Sequence, residues 1–276
     1  MALTRKRVCI TGGAGFIGSH LVQRLLESND VVVYDNLHRN ALQFAHVEGH
    51  PHLHFVKGDV MDYDRTRHAV EGCDVIIHCA AIAGVYSVDR NAVTTMEVNM
   101  LGTHQVVKAA LDVGVERFVE FSTSEVYGPF IHKGKEDDLT TIGPIGESRW
   151  VYAASKLASE HLSYAHYKED GLPLAIVRPF NVYGPRQVGD GAIRGMILQA
   201  LRHAPITLYN DGTRRSTSGP GCGLNTIADV ERVNRTIMFA SSRFVIVPCG
   251  LPRLNACPTA SGRSAQRSTP STKSST

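Results

Sequence analysis

Apolar runs and helical patterns alternate along this chain from its first residues. Val8–Ile10 predicts a short buried strand, and Phe16–Leu26 carries Phe16, Ile17, Leu21 and Leu25 at helical spacing. Val31–Tyr34, His54–Val56 and Asp74–His78 predict the second, third and fourth strands. Asn91–Val113 reads as a long helical stretch with Val93, Val98, Leu101, Val106 and Leu111 at its apolar positions. Phe118–Ser122 then predicts a fifth strand, Val151–Tyr167 a helix and Leu174–Val177 a sixth strand. Uniformly apolar strands separated by helices mean a parallel sheet covered on both faces, so the expected fold class is α/β and doubly wound. After Gly212 the alternation fades, apart from Val230–Met238 and an apolar patch at Phe244–Val247. Ser261–Thr276 is rich in Ser and Thr and has the makeup of a disordered tail.

Composition sharpens that break. The 276 residues are 43% hydrophobic and 20% charged, which suits one large α/β domain or two small ones. The net charge of +3 is too small to argue for nucleic acid or an anionic membrane as partner. It also averages two unlike parts. Residues 1–212 hold 24 acids against 20 bases, whereas residues 213–276 hold 2 acids against 9 bases, together with 18 Ser or Thr. The basic excess therefore belongs to a segment without a recognisable pattern. No apolar stretch approaches the ~20 residues of a membrane helix, and none follows Met1 in the manner of a signal peptide. Six cysteines without a CxxC give neither a disulfide framework nor a metal site, and Cys9 and Cys79 lie in apolar runs as buried thiols. A cytoplasmic protein is expected.

The first chemistry sits after the first strand. Thr11-Gly-Gly-Ala-Gly-Phe-Ile-Gly18 places Gly12, Gly15 and Gly18 between a strand and a helix. That context needs glycine for the tight turn, for close approach of a pyrophosphate and for packing of helix on strand. The helix N-terminus at Phe16 and Ile17 then offers unpaired N–H groups to the phosphates. The second strand ends in Asp35-Asn36, 20 residues after Gly15, where a carboxylate accepts from both ribose hydroxyls and favours NAD over NADP. Arg39, four residues on, is positioned to blunt that preference. Asp59 and Val60 end the third strand within reach of an adenine. Ala80 and Ala81 end the fourth, small enough for a cofactor to lie against the backbone, while His78 reads as a satisfied core histidine.

Tyr152 and Lys156 are four apart on a predicted helix and share one face. Hydride chemistry at a carbinol needs a base, and a tyrosine serves only where positive charge stabilises its phenolate. Lys156 and a nicotinamide cation would supply that charge, and Thr123 or Ser124, at the strand end Ser122-Thr123-Ser124-Glu125, can hydrogen-bond the same oxygen.

Taken together, TGGAGFIG, the Asp35 strand end, GDV, HCAA, VNMLGT, FSTSEVYG, YAASK and RPFNVYGPRQ resemble the extended short-chain dehydrogenase/reductase family, and within it the NAD-dependent nucleotide-sugar epimerases and dehydratases. The match runs from about Arg7 to Gly212. The resemblance implies a Rossmann-like domain over residues 1–185 that carries the NAD and catalytic residues. A partial substrate lobe would follow over 186–240, and an atypical tail over 241–276. It implies a sugar carbon, usually C4, oxidised by tightly held NAD, on a UDP-, dTDP- or GDP-linked substrate, in a homodimer. Tyr152 would be the base, Lys156 its orienter and the anchor of the nicotinamide ribose, Thr123 the hydroxyl partner, Asn99 the helix asparagine that shapes the site, and Asn181 a contact to the substrate diphosphate. Thr123-Ser124-Glu125 resembles the triplet of UDP-glucuronate decarboxylases and GDP-mannose dehydratases, and Arg149-Trp150 also resembles the decarboxylase branch. Glu125 beside an oxidised C4 would take the acidic C5 proton. An NAD-binding protein without turnover is the third reading. It rests on Thr213–Cys222, where family members have an aromatic, a strand and an acidic pair. The switch there to Arg, Ser, Thr, Pro and Gly is what out-of-frame reading of a GC-rich gene produces, which the other two reading frames after codon 212 would test.

Overall fold

The computed structural model describes residues 3–129, 135–189, 191–206 and 244–247. Its centre is a sheet in the order β3-β2-β1-β4-β5-β6-β7. The strands are β1 (Arg7–Thr11), β2 (Asp30–Asp35), β3 (Leu53–Lys57), β4 (Val75–His78), β5 (Arg117–Phe121), β6 (Leu174–Pro179) and β7 (Phe244–Val247). The first six are mutually parallel, and β7 pairs antiparallel with β6, Val177 facing Ile246. The six-stranded order is that of the doubly wound dinucleotide-binding fold. β1, β2 and β4 are buried along nearly their whole length, which explains why they read as unbroken apolar runs.

Helices cover both faces: α1 (Phe16–Leu25), α2 (Tyr63–Ala69), α3 (Val85–Arg90), α4 (Ala92–Glu97), α5 (Thr103–Val113), α6 (Ser148–Glu169) and α7 (Ala192–Leu201). One core, with Val8, Ile10, Val22, Val31, Val33 and Ile77, lies under α1. The other, with Cys9, Val32, Ile76, Val106, Ala110, Phe118 and Leu174, lies under α2, α5 and α6. The two sets alternate along each strand, as a sheet with two covered faces requires.

The helix expected over Asn91–Val113 is interrupted by a π-helical turn at Val98–Gly102. The widened turn brings Asn99 wholly inside and sets Gly102 against Val60, whose Cγ2 would lie 2.7 Å from any Cβ there. Of the calls on the C-terminal region, α7 falls in the expected partial lobe and β7 on the apolar patch of the expected tail. Residues 207–243 and 248–276, with Thr213–Cys222 and Ser261–Thr276, lie outside the described residues. Among the described residues no helix is long and apolar enough to cross a membrane, and no group of His, Cys, Asp or Glu is arranged to hold a metal.

Candidate active site

The glycines after β1 have separate physical duties. Gly12 sits at φ +70°, and a Cβ there would stand 2.6 Å from the Ala80 nitrogen, so β1 and β4 close on each other only without a side chain. Gly18 is pressed on the turn from α1, a Cβ there falling 2.6 Å from the Gly13 Cα. Gly15 differs: its missing side chain would meet only the Gly12 carbonyl oxygen, at 3.1 Å. It is also the N-cap of α1, where no side chain caps the first turn and no acid lies in it. The N–H groups of that turn are thus left for an anion, as a dinucleotide pyrophosphate requires.

Asp35 is buried at the end of β2, accepting from the Ala14 N–H at 3.0 Å and the Leu37 N–H at 2.7 Å. Burial raises its carboxyl above the usual range, and those two backbone donors oppose the rise. The same carboxylate therefore helps to shape the glycine turn. Asn36 donates to the Asp59 carboxylate at 3.1 Å, and the Tyr34 hydroxyl donates to the Asp59 carbonyl at 2.7 Å, fixing β2 to β3. Arg39 is turned to the Ser87 hydroxyl on α3, at 2.7 Å. An uncapped helix start, a glycine open to approach and a carboxylate at the end of β2 together fit NAD.

His78 is wholly buried between the hydroxyls of Thr11, at 2.7 Å, and Thr103, at 3.0 Å. Since Thr103 donates to the Asn99 carbonyl at 2.6 Å, it accepts from Nε2, and Thr11 donates to Nδ1. Burial, helped by the charge of Lys156, lowers the imidazole to about 3. It is the neutral, satisfied core histidine that the sequence suggested.

Thr123, Ser124 and Glu125 open a short 3-10 turn directly after β5. The Thr123 hydroxyl accepts from the Glu125 N–H at 3.2 Å and lies beside the Tyr152 phenol. Burial pushes the Tyr152 phenol up to about 12, with the nearby Thr123 hydroxyl opposing and the Glu125 charge adding. Lys156 is 1% exposed. Burial lowers its ammonium group, against the raising effect of Glu120, Glu160 and the Cys79 thiol. Ser155 donates to the Tyr152 carbonyl at 2.8 Å and accepts from the Asn99 amide at 3.0 Å. Asn99 also donates to the Ile82 carbonyl at 3.1 Å and accepts from its N–H at 2.8 Å. Its amide hydrogens are all used inside the protein, so it ties the loop after β4 to α6.

The structure brings Gly12, Gly15, Phe16, Ile17, Gly18, Asp35, Asn36, Asp59, Val60, Ala80 and Ala81 to the carboxyl end of the sheet, at β1, β2, β3 and β4, and Thr123, Ser124 and Glu125 to the end of β5. Asn181 stands exposed two residues beyond β6. Sequence reasoning missed the support beneath: Arg178 on β6 grips Glu160 on α6 through Nη2 at 2.6 Å and Nε at 2.9 Å, donates to the Glu136 carbonyl at 3.2 Å and stacks over Tyr127 at 4.8 Å. The signal was present as Ser155, Lys156, Ser159, Glu160 and Ser163, a polar stripe at helical spacing on the face of α6 that turns out buried.

A family model described as the NAD dependent epimerase/dehydratase family matches residues 8–216. The chain is 36% identical over 242 residues to a UDP-N-acetyl-alpha-D-glucosaminuronate decarboxylase of Bacillus cytotoxicus, covering 85% of this chain and 74% of the relative. It is also 36% identical to UDP-glucuronic acid decarboxylase 1 of Arabidopsis thaliana, covering 75% of this chain and 47% of that protein. Among solved structures, UDP-glucuronic acid 4-epimerase from Bacillus cereus, in complex with UDP-glucuronic acid and NAD, superposes with a TM-score of 0.68 at 33% identity, over 75% of this chain and 67% of that one. DesIV, a dTDP-glucose 4,6-dehydratase from Streptomyces venezuelae with NAD bound, does so with 0.67 at 36% identity, over 75% and 65%. The chain thus spans about half to three quarters of the length of these relatives. Fold, motifs and comparisons agree: the chain belongs to the NAD-dependent epimerase/dehydratase family.

Proposed function

We propose that this protein is an NAD-dependent nucleotide-sugar epimerase/dehydratase that works by transient oxidation of the sugar at C4. One observation carries the reading: Tyr152 stands half-buried beside the Thr123 hydroxyl at the end of β5, with the enclosed Lys156 one turn along the same helix. NAD, when bound, supplies the acceptor for the C4 hydride and the source from which it returns. The chain's own groups do the rest. Residues 1–185 hold both parts: the first turn of α1 takes the pyrophosphate, Asp35 the adenosine ribose, and Asp59 and Val60 the adenine. Tyr152 takes the C4 hydroxyl proton and gives it back. At about 12 its phenol is a poor base, so it becomes competent only as Lys156 and the bound cofactor bring positive charge to it. Thr123 orients the same hydroxyl, and Asn181 meets the substrate diphosphate.

A second reading is favoured by Thr123-Ser124-Glu125 and by the decarboxylases among the relatives: the substrate is then a UDP-hexuronate, whose oxidised C4 lets the C6 carboxylate leave as carbon dioxide. Glu125, half-buried beside Tyr152, takes the C5 proton when water is lost, whereas in the decarboxylation carbon dioxide leaves C5 and a proton returns there. The apolar side chains of Val93 and Leu101, exposed along with Tyr164 on α6, support a homodimer through this helical face, and the family's chemistry a cytoplasmic setting. The test is incubation of NAD-loaded protein with UDP-, dTDP- and GDP-sugars, followed by product mass spectrometry and NMR. Loss of water, loss of carbon dioxide or an unchanged mass with inverted stereochemistry separates the reactions. NAD binding without conversion of any sugar refutes turnover. Tyr152→Phe is expected to cut turnover by roughly 10²–10⁴-fold while NAD still binds.

A further inference from the structure

Beneath Lys156 lies a carboxyl group that the reaction described above does not use. Glu120 is on β5, fully buried, opposite His78 of β4 and Ile176 of β6, and α6 packs on it with the buried stripe of Lys156, Ser159, Glu160 and Ser163. Both Glu120 carboxyl oxygens lack a hydrogen-bond partner, as do the nearby Ser163 hydroxyl and those of Ser122 and Tyr127. Ser159 cannot help, because its proton is already given to the Ser155 and Lys156 carbonyls at 3.0 Å.

We propose that Glu120 is a positioning residue, its carboxylate being the buried counter-charge that holds Lys156 as an ammonium group. The assignment follows from how the buried charges pair. Two cations and two acids share this layer between α6 and the sheet: Lys156, Arg178, Glu120 and Glu160. Arg178 and Glu160 satisfy each other through two guanidinium nitrogens. That leaves Lys156 and Glu120, and a buried charge is tolerated only when paired. The other groups facing Lys156 do not compete: His78 is neutral, and the Cys79 thiol is pushed up to about 12 by burial. Tyr152 is protonated without substrate, and Glu125 faces Tyr152. Burial favours a neutral Glu120, and Lys156 opposes it. An ammonium here is what the Tyr152 phenolate needs, so Glu120 acts on the base through the lysine. The proposal rests on Lys156 serving the chemistry read above.

The test is NMR titration of protein carrying ¹³C at lysine Cε and glutamate Cδ, with Lys156→Met and Glu120→Gln variants assigning the two signals. Expected in the wild type at neutral pH are an ammonium shift for Lys156 and an ionised shift for Glu120. Glu120→Gln is expected to lower the lysine midpoint by about one pH unit or more, the usual effect of one close opposite charge. Glu120→Asp, which keeps the charge, stays nearer the wild type. A neutral Lys156 or a protonated Glu120 in the wild type overturns the proposal even if the Gln variant does not fold, and so does an unmoved midpoint in a folded Gln variant. These signals need no substrate. A shifted midpoint in a protein that converts no nucleotide sugar would refute the proposed activity and leave the pairing standing.

Discussion

Gly12 and Gly15 lie three residues apart in one turn, yet alanine should fail at them for different reasons. At Gly12 the backbone is left-handed, and the new Cβ would sit 2.6 Å from the Ala80 nitrogen, 2.7 Å from its Cα and 2.8 Å from the Cys79 carbonyl carbon. All three are backbone atoms just past the end of the β1–β4 pair, so nothing can rotate away. A left-handed non-glycine residue costs about 1–2 kcal/mol and overpacking about 1–3 kcal/mol, which gives about 2–5 kcal/mol for Gly12→Ala. That is a large part of the ~5–15 kcal/mol by which a domain is stable. Gly15 has φ −70°, and its Cβ would meet one atom, at 3.1 Å. Gly15→Ala should cost no more than about 1 kcal/mol, chiefly as a poorer N-cap. It should still weaken NAD tenfold or more, about 1.4 kcal/mol of binding, because the methyl occupies the approach to the helix start. The only tryptophan, Trp150, is 6% exposed, so its fluorescence follows urea unfolding, and calorimetry follows NAD. An unchanged urea midpoint in Gly12→Ala would refute the close-packing argument. Undiminished NAD affinity in Gly15→Ala would refute the placement of the pyrophosphate.

Two further expectations concern the buried polar groups. His78 stays neutral in the fold to about 3, whereas an unfolded histidine titrates near ~6.5. Its contribution is full above that value and is lost as the pH falls toward about 3, at up to roughly 1.4 kcal/mol per pH unit. His78→Gln should flatten this acid limb of stability in denaturant titrations at several pH values; an unaltered slope contradicts the assignment. Arg178→Ala strands Glu160, whose side chain is 5% exposed, and should cost about 3–5 kcal/mol. Arg24→Ala, which breaks a pair with Glu27 on the open surface, should cost no more than about 0.5 kcal/mol in the same melts.

How far the sequence carried depends on what each residue does. β1, β2 and β4 were legible because both their faces are covered, so Val8–Ile10, Val31–Tyr34 and Val75–Ile77 needed no alternation to be recognised. Edge strand β3 was found only over His54–Val56, its more mixed pattern reflecting partial exposure. α2 and α3 were not read, being only two turns long, and α7 was passed over although Ile193, Met196, Ile197 and Leu201 carry helical spacing. Motif spacing located Gly12, Gly15, Asp35, Tyr152 and Lys156, since local geometry sets those intervals. It could not supply what joins segments far apart in the chain. The sequence pointed to Asn99 but not to its π-helical turn or its bonds to Ile82 and Ser155, which tie the loop after β4 to α6. Arg178 and Glu160 are 18 residues apart and meet only when β6 lies beside α6. Glu120 sits in an apolar strand pattern, and nothing in the sequence marks that it lies buried under α6.

The central claim is that NAD held by this chain removes hydride from C4 of a nucleotide sugar. It is tested most directly by mixing NAD-loaded protein with UDP-glucuronic acid deuterated at C4, quenching after partial reaction, and measuring the cofactor by mass spectrometry. The account predicts deuterium in the cofactor for the wild type and none for Tyr152→Phe. A cofactor that stays free of deuterium with this sugar, and with C4-deuterated dTDP- and GDP-hexoses, would contradict it.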